Sequence, residues 1–165
     1  MGSGKSSVGK KLSDVLDFDY LDLDDHIQQK EGKTITEIFK HKGEIYFRKI
    51  ESQYLNEVVS SKSHTIISLG GGTPCYGQNM EVIKNSKNSK SVFLKASIDS
   101  LLNRLFLEKE DRPLISHIKD KAELKEFIGK HLFERSIFYN QSDIVINTDQ
   151  KSVDEVVEAI VIQLV

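Results

Sequence analysis

The distribution of apolar and polar positions along the chain alternates between two periods. Val8, Leu12 and Val15/Leu16 recur at helical spacing and predict a helix over 5–16. The next stretch, "FDYLDLD" (18–24), alternates aromatic or apolar residues with aspartates, the period of a short strand. A helical region opens at Thr34, where Thr34 and Glu37 have the spacing of a capping box. Gly43 divides that region into two helices, and Phe47, Ile50, Tyr54, Leu55 and Val58 make one apolar face of the second. "HTIISLGGG" (64–72) reads as a buried strand stopped by three glycines. A short helix over 78–86 and a strand, "SVFLKA" (91–96), come next. Ser97 can cap a helix over 98–108. The polar stretch 108–121, with Pro113, predicts a mobile loop. A helix over 122–139 and a last strand, "SDIVINT" (142–148), follow. Ser152 and Glu155 form a second capping box, and Val153, Val156, Val157, Ile160, Val161 and Leu164 are the stripe of a final helix.

Strands alternating with helices predict an α/β fold: a parallel sheet with helices on both faces, in one domain spanning 1–165. Ligands of such sheets bind beyond the carboxyl ends of the strands. Lys5, Asp22, Asp24, Gly70–Gly72 and Thr148 all fall at such ends, Lys5 only if a strand precedes it.

Composition narrows the class. At 38% hydrophobic and 29% charged residues the chain has the make-up of a soluble globular protein. A net charge of −2 with no basic tail argues against a nucleic-acid partner. No apolar run has the length of a membrane span and no leader is visible, so no membrane association and a cytoplasmic location are expected. The single cysteine, Cys75, cannot form an intrachain disulfide, and it reads as a small, partly buried loop residue rather than a nucleophile.

Four features carry chemistry. The opening "GSGKSS" (Gly2, Ser3, Gly4, Lys5, Ser6, Ser7) has the tail of a phosphate-binding loop directly before a helical pattern. Its backbone amides would cradle phosphates, Lys5 would reach the β- and γ-phosphates, and Ser6 would ligate Mg²⁺. The plain alternative is a flexible glycine-serine start. Asp22 and Asp24 would point the same way if the strand ran that far, one toward a metal and the other toward a substrate hydroxyl. The alternative there is a helix N-cap, filled by Asp24 or Asp25. "TIISL" itself ends without the carboxylate of a Walker-B strand. The triplet Gly70-Gly71-Gly72 suits close approach of backbone to a ligand better than it suits a loose turn. Arg48, Arg112 and Arg135 offer guanidinium forks for carboxylate or phosphate, although each alone is also an ordinary surface charge.

The ordered set GSGKSS (2–7), DLD (22–24), FRKIE (47–51), LGGG (69–72), RPLI (112–115) and "LFERSIFY" with Leu132, Arg135 and Tyr139 resembles the shikimate kinases over nearly the whole chain. The resemblance implies the nucleoside-monophosphate-kinase-like P-loop fold, three layers around a parallel sheet, and transfer of the ATP γ-phosphoryl to the 3-hydroxyl of shikimate. It implies ATP contacts from Gly2–Ser7 and Mg²⁺ near Ser6 and Asp22. Asp24 becomes the base that binds the shikimate hydroxyls. Arg48 and Arg135 become the grip on its carboxylate, with Gly70, Gly71 and Gly72 shaping the pocket. Arg112 becomes a lid arginine within 108–121, and 25–62 a substrate-binding helical region. Arg104 resembles an adenine-packing arginine, and Thr148–Asp149 would border the adenine. A monomer is expected on the same ground. Rival readings are a gluconate- or nucleotide-type kinase, which the GGG and Arg48 oppose, and a nucleotide-binding protein without catalysis.

One departure stands out: the family's apolar first strand and the glycine that opens the loop would both fall before Met1. A buried strand of a few branched residues contributes roughly 5–10 kcal/mol, comparable with the whole margin of a domain. The expectation is that the natural protein begins upstream, and that a chain starting at Met1 melts poorly and binds nucleotide weakly. Melting temperature and ATP affinity of 1–165 beside an N-terminally extended version check this; equal values would show the strand to be overvalued.

Overall fold

The computed structural model describes residues 2–87, 89–108 and 115–164. In chain order the elements are α1 (Lys5–Leu16), β1 (Asp19–Asp22), α2 (Leu23–Glu31), α3 (Ile35–Ser61), β2 (Thr65–Ser68), a 3-10 turn (Thr73–Cys75), α4 (Asn79–Asn85), β3 (Val92–Lys95), α5 (Ile98–Glu108), α6 (Lys121–Tyr139), β4 (Ile144–Asn147) and α7 (Val153–Leu164). The chain divides into two compact units, Ser6–Ser91 and a second made of Met1–Lys5 with Val92–Val165.

In the Ser6–Ser91 unit, β1 and β2 pair in parallel, with Asp19 opposite Thr65 and Asp22 opposite Ser68. Leu23 and Ile27 of α2 pack with Ile38, Phe47, Ile50, Leu55 and Val58 of α3 into one core. Leu23, Ile27, Ile38 and Leu55 are fully buried, each contributing about 1.5–3 kcal/mol relative to exposure. The predicted apolar face of α3 is therefore the core face, with Tyr54 half-buried at its border. Gly43, at φ 78° and ψ 174°, breaks α3 in two as its position in the pattern suggested. The Thr34–Glu37 capping box is present in both directions: the Glu37 amide donates to the Thr34 hydroxyl at 3.2 Å, and the Thr34 amide to Glu37 Oε2 at 2.8 Å.

In the other unit β3 and β4 pair in parallel, from Val92 opposite Ile144 to Lys95 opposite Asn147. Along β4, Ile144 and Ile146 are buried while Val145 and Asn147 face outward. Leu101 and Leu105 of α5 pack with Leu124 and Ile128 of α6, and Ile115 and Ile118 join the same core. Those two isoleucines lie inside the span read as a polar loop, so its described end is anchored rather than wholly polar surface. Asp120 starts α6 one residue earlier than the pattern indicated, accepting from the Ala122 amide at 2.9 Å.

The structure corrects two boundaries and the width of one stripe. The first strand stops at Asp22 instead of reaching residue 24, because a helix starts at Leu23. β2 ends at Ser68, short of the glycines. The α7 stripe is narrower than expected: Val156, Val157 and Ile160 are buried, whereas Val153 and Leu164 at the two ends are exposed. Both strand pairings are parallel, as the alternation of strands and helices predicts, and among the described residues they form two two-stranded sheets.

Four carboxylates that hold helix ends or helix contacts have pKa values below the ordinary range. The Thr34 amide lowers Glu37, the Ser152 amide lowers Glu155, the Ser100 side chain and the Ser97 amide lower Asp149, and the Tyr46 hydroxyl lowers Glu31. Their folded values lie below the unfolded ones, so their stabilisation is complete above roughly pH 4.3 and fades as pH falls through the folded values. Melting temperature measured from pH 7 to pH 3 should fall below about pH 4.3, and a Glu37→Gln/Glu155→Gln variant should show a shallower fall. Superimposable curves would contradict the assignment.

Candidate active site

The chain enters α1 through Gly2, Ser3 and Gly4. Gly2 (φ +71°) and Gly4 (φ +85°) both adopt the left-handed region, which side-chain-bearing residues occupy only with strain. At Gly2 a Cβ would also meet Leu105 Cγ at 2.9 Å, whereas Gly4 has open space around it and needs glycine for its backbone alone. Lys5 begins the helix, followed by Ser6 and Ser7, and no acidic residue lies in the first turn. The free amides and positive end of α1 are therefore left for an anion. Arg104 on α5 donates from Nη1 to the Gly2 carbonyl at 3.3 Å.

The parallel register of β1 and β2 places Asp22 opposite Ser68, so the segments that leave the two strands emerge at the same edge. Asp22 ends β1 and is itself the N-cap of α2, its Oδ1 accepting the Asp24 amide at 3.0 Å. The pattern had suggested Asp24 or Asp25 for that cap. Asp24 accordingly projects from the first turn of a helix, not from a strand. Its carboxylate lies against Gly70: a Cβ there would stand 3.3 and 3.5 Å from the two oxygens and 3.1 Å from the Thr73 hydroxyl.

On the other side of the glycine triplet is Arg48. A Cβ at Gly72 would lie 3.2 Å from each of its terminal nitrogens. Such separations are tighter than most real contacts, so the glycines let two charged side chains come close. Arg48 Nη1 donates to Glu51 Oε2 at 2.8 Å, Nε stands 3.5 Å from Glu44, and the guanidinium lies 3.7 Å from the centre of the Tyr76 ring. Glu51 is 1% exposed, and its second oxygen accepts the Thr73 hydroxyl at 2.8 Å. Asn79 in turn donates to the Thr73 carbonyl at 2.8 Å. Burial works against the charge of Arg48, but the hydrogen bond and charge of Glu51 outweigh it and raise the pKa above the usual arginine value. Glu51, Thr73 and Tyr76 received no role from the sequence. Only Glu51 had a signal, as the last residue of the FRKIE motif and by its spacing three residues after Arg48 on a helix.

The structure thus brings Asp24, Gly70, Gly72 and Arg48 together within one unit. Arg104 and half-buried Arg135 belong to the other unit, on α5 and α6. Arg112 lies outside the described residues. Thr148 is buried, its amide donating to the Lys95 carbonyl at 2.8 Å. Asp149 receives the Ser97 amide at 3.0 Å and so helps to hold the start of α5. Cys75 is half-buried in the 3-10 turn.

Against this geometry stand the comparisons with known proteins. The shikimate kinase family model matches residues 1–165. A curated shikimate kinase of Flavobacterium johnsoniae is 46% identical over 97% of this chain and 92% of its own. A crystal structure of shikimate kinase from Bacteroides thetaiotaomicron superposes with a TM-score of 0.87 at 33% identity, covering 99% of this chain and 93% of that one. Shikimate kinase from Acinetobacter baumannii, solved in complex with shikimate, gives a TM-score of 0.86 at 29% identity, over 99% of this chain and 88% of that one.

Thr73→Val removes the hydroxyl from Glu51 at constant shape. The buried carboxylate then keeps Arg48 on one oxygen and loses the donor to the other, and chemical denaturation should report a loss of about 1–3 kcal/mol. An unchanged midpoint would show that Glu51 does not depend on Thr73.

Proposed function

This chain belongs to the shikimate kinase family, and from that premise we propose which of its residues carry the reaction. The protein is a shikimate kinase with the P-loop kinase fold: it transfers the γ-phosphoryl of ATP to the 3-hydroxyl of shikimate, giving shikimate 3-phosphate and ADP, in aromatic amino-acid biosynthesis.

What supports the assignment of roles is the crowding of the Asp24 carboxylate and the Arg48 guanidinium against Gly70 and Gly72. A base and a cationic fork on either side of a glycine segment suit a small molecule with hydroxyls at one end and a carboxylate at the other. In this reading Asp24 orients the 3-hydroxyl and takes its proton late, as the bond to phosphorus forms. Arg48 grips the shikimate carboxylate, a role also assigned to Arg135, and Gly70, Gly71 and Gly72 shape the pocket beside Asp24 and Arg48. Phosphoryl transfer depends on positioning and charge neutralisation more than on covalent help. Gly2, Ser3, Gly4 and Ser7 offer backbone donors to the phosphates, and the Lys5 ammonium offsets their charge. Arg112 closes over the transferring group, and Arg104 packs beside the adenine.

Ser6 and Asp22 provide a hydroxyl and a carboxylate, the hard oxygen donors that a magnesium ion takes. Among the described residues there is no group of three or more His, Cys, Asp or Glu that could cage a metal. When bound, Mg²⁺ would neutralise charge on the ATP phosphates. We further propose a cytoplasmic monomer without nucleic-acid or membrane partners. No described helix is long and apolar enough to cross a membrane.

Shikimate-dependent ADP formation tests the roles. Asp24→Asn should lower kcat by about 10²–10⁴-fold, the usual span for a general base. Arg48→Lys should raise the KM for shikimate by about tenfold or more while leaving that for ATP near its starting value, because lysine cannot reproduce the fork. Full activity in either variant would remove that residue from the site.

A further inference from the structure

The residues proposed to hold shikimate leave out a charged cluster at the far end of α2. Glu31 is the last residue of that helix, where the macrodipole disfavours a carboxylate. It is nevertheless one of the most heavily bonded side chains in its unit. Tyr46 donates to Oε2 at 2.8 Å and Tyr54 to Oε1 at 3.0 Å. Lys42 donates to the Tyr46 hydroxyl at 2.9 Å and stands 3.8 Å from Glu31. The two hydroxyl bonds and the lysine hold the Glu31 carboxyl below its ordinary range despite partial desolvation.

The placement of these partners matters more than their number. Asp24 and Glu31 are seven residues apart on α2, on one face and about two turns distant. Tyr46 and Tyr54 lie on α3 to either side of Arg48, all three beyond the break at Gly43. One carboxylate therefore binds two points of the α3 segment that carries Arg48, while its own helix carries Asp24. The core beneath is made of Leu23, Ile27, Phe47, Ile50 and Leu55. It supplies cohesion but little direction, because apolar burial is not directional. Hydrogen bonds to a charged acceptor supply the direction. The Ile35 amide, bonded to Gln28 Oε1 at 3.0 Å, adds a second tie between the same helices.

We infer that Glu31, clamped by Tyr46 and Tyr54, is a positioning residue: it fixes the rotation of α2 against α3 and so the separation of Asp24 from Arg48. The inference rests on the reading that those two side chains hold shikimate.

The test is steady-state kinetics of the full chain carrying Tyr46→Phe/Tyr54→Phe, and separately Glu31→Gln and Glu31→Ala, with melting temperatures alongside. The double variant should raise the KM for shikimate about five- to twentyfold with the KM for ATP within about twofold. Glu31→Gln, which keeps an acceptor, should cost less than Glu31→Ala. A lowered melting temperature with an unchanged shikimate KM would overturn the inference, as would an equal rise in both KM values. Should the double variant not fold, Tyr54→Phe alone is judged by the same split. Arg48→Lys and Asp24→Asn run in parallel separate the two failures. If they act and the clamp variants do not, only the clamp is wrong; if they are silent, the reading beneath it fails as well.

Discussion

The Glu51 carboxylate, 1% exposed, is the constraint on which the Ser6–Ser91 unit depends. A buried carboxylate must be paired and hydrogen-bonded, since leaving one uncompensated costs about 3–5 kcal/mol. Arg48 meets one oxygen and Thr73 the other, each at 2.8 Å. Arg48 is on α3 and Thr73 in the turn after the glycine triplet, so satisfying one charge ties a helix to the loop beside it. Asn79 extends the tie to α4 through the Thr73 carbonyl. Arg48 is thereby held in one orientation, with its face on Tyr76 and its terminal nitrogens against Gly72. An arginine fixed in this way loses little side-chain freedom when it binds an anion.

A second constraint is the change from strand to helix at Asp22. The parallel pairing of β1 with β2 ends there, and the Asp22 side chain caps α2 in the same step. A carboxylate two residues further along a strand would share the direction of Asp22. On a helix it turns away instead, and Asp24 reaches the glycines that follow β2. The D-x-D spacing is therefore built for two directions. The two directions match the separate roles proposed for them, Asp22 beside a metal and Asp24 beside a hydroxyl.

In the other unit the interactions are more local. Ser97 and Asp149 join the ends of β3 and β4 to the start of α5. Arg104 reaches back to the Gly2 carbonyl, and Gly2 packs on Leu105. Gly2 thus lies on the helix that bears the arginine proposed to face adenine, which links the start of the loop to α5.

The amino-acid sequence by itself determined the alternation of elements, both capping boxes, the break at Gly43, the core face of α3 and the motif order that marks the family. These depend on periodicity and on contacts within a few residues, which a linear pattern records. It also singled out Asp24, Arg48 and the glycine triplet, reading the glycines as room for a ligand and not as room for those two side chains. Only the tertiary structure decided that Gly70 makes room for Asp24 and Gly72 for Arg48, that Thr73 and Tyr76 complete the setting of Arg48, and that Glu31 collects two tyrosines from another helix. Thr73 lies 22 residues from Glu51, and Tyr54 lies 23 from Glu31. Pairings over such separations arise from the packing of whole elements, and no local spacing encodes them.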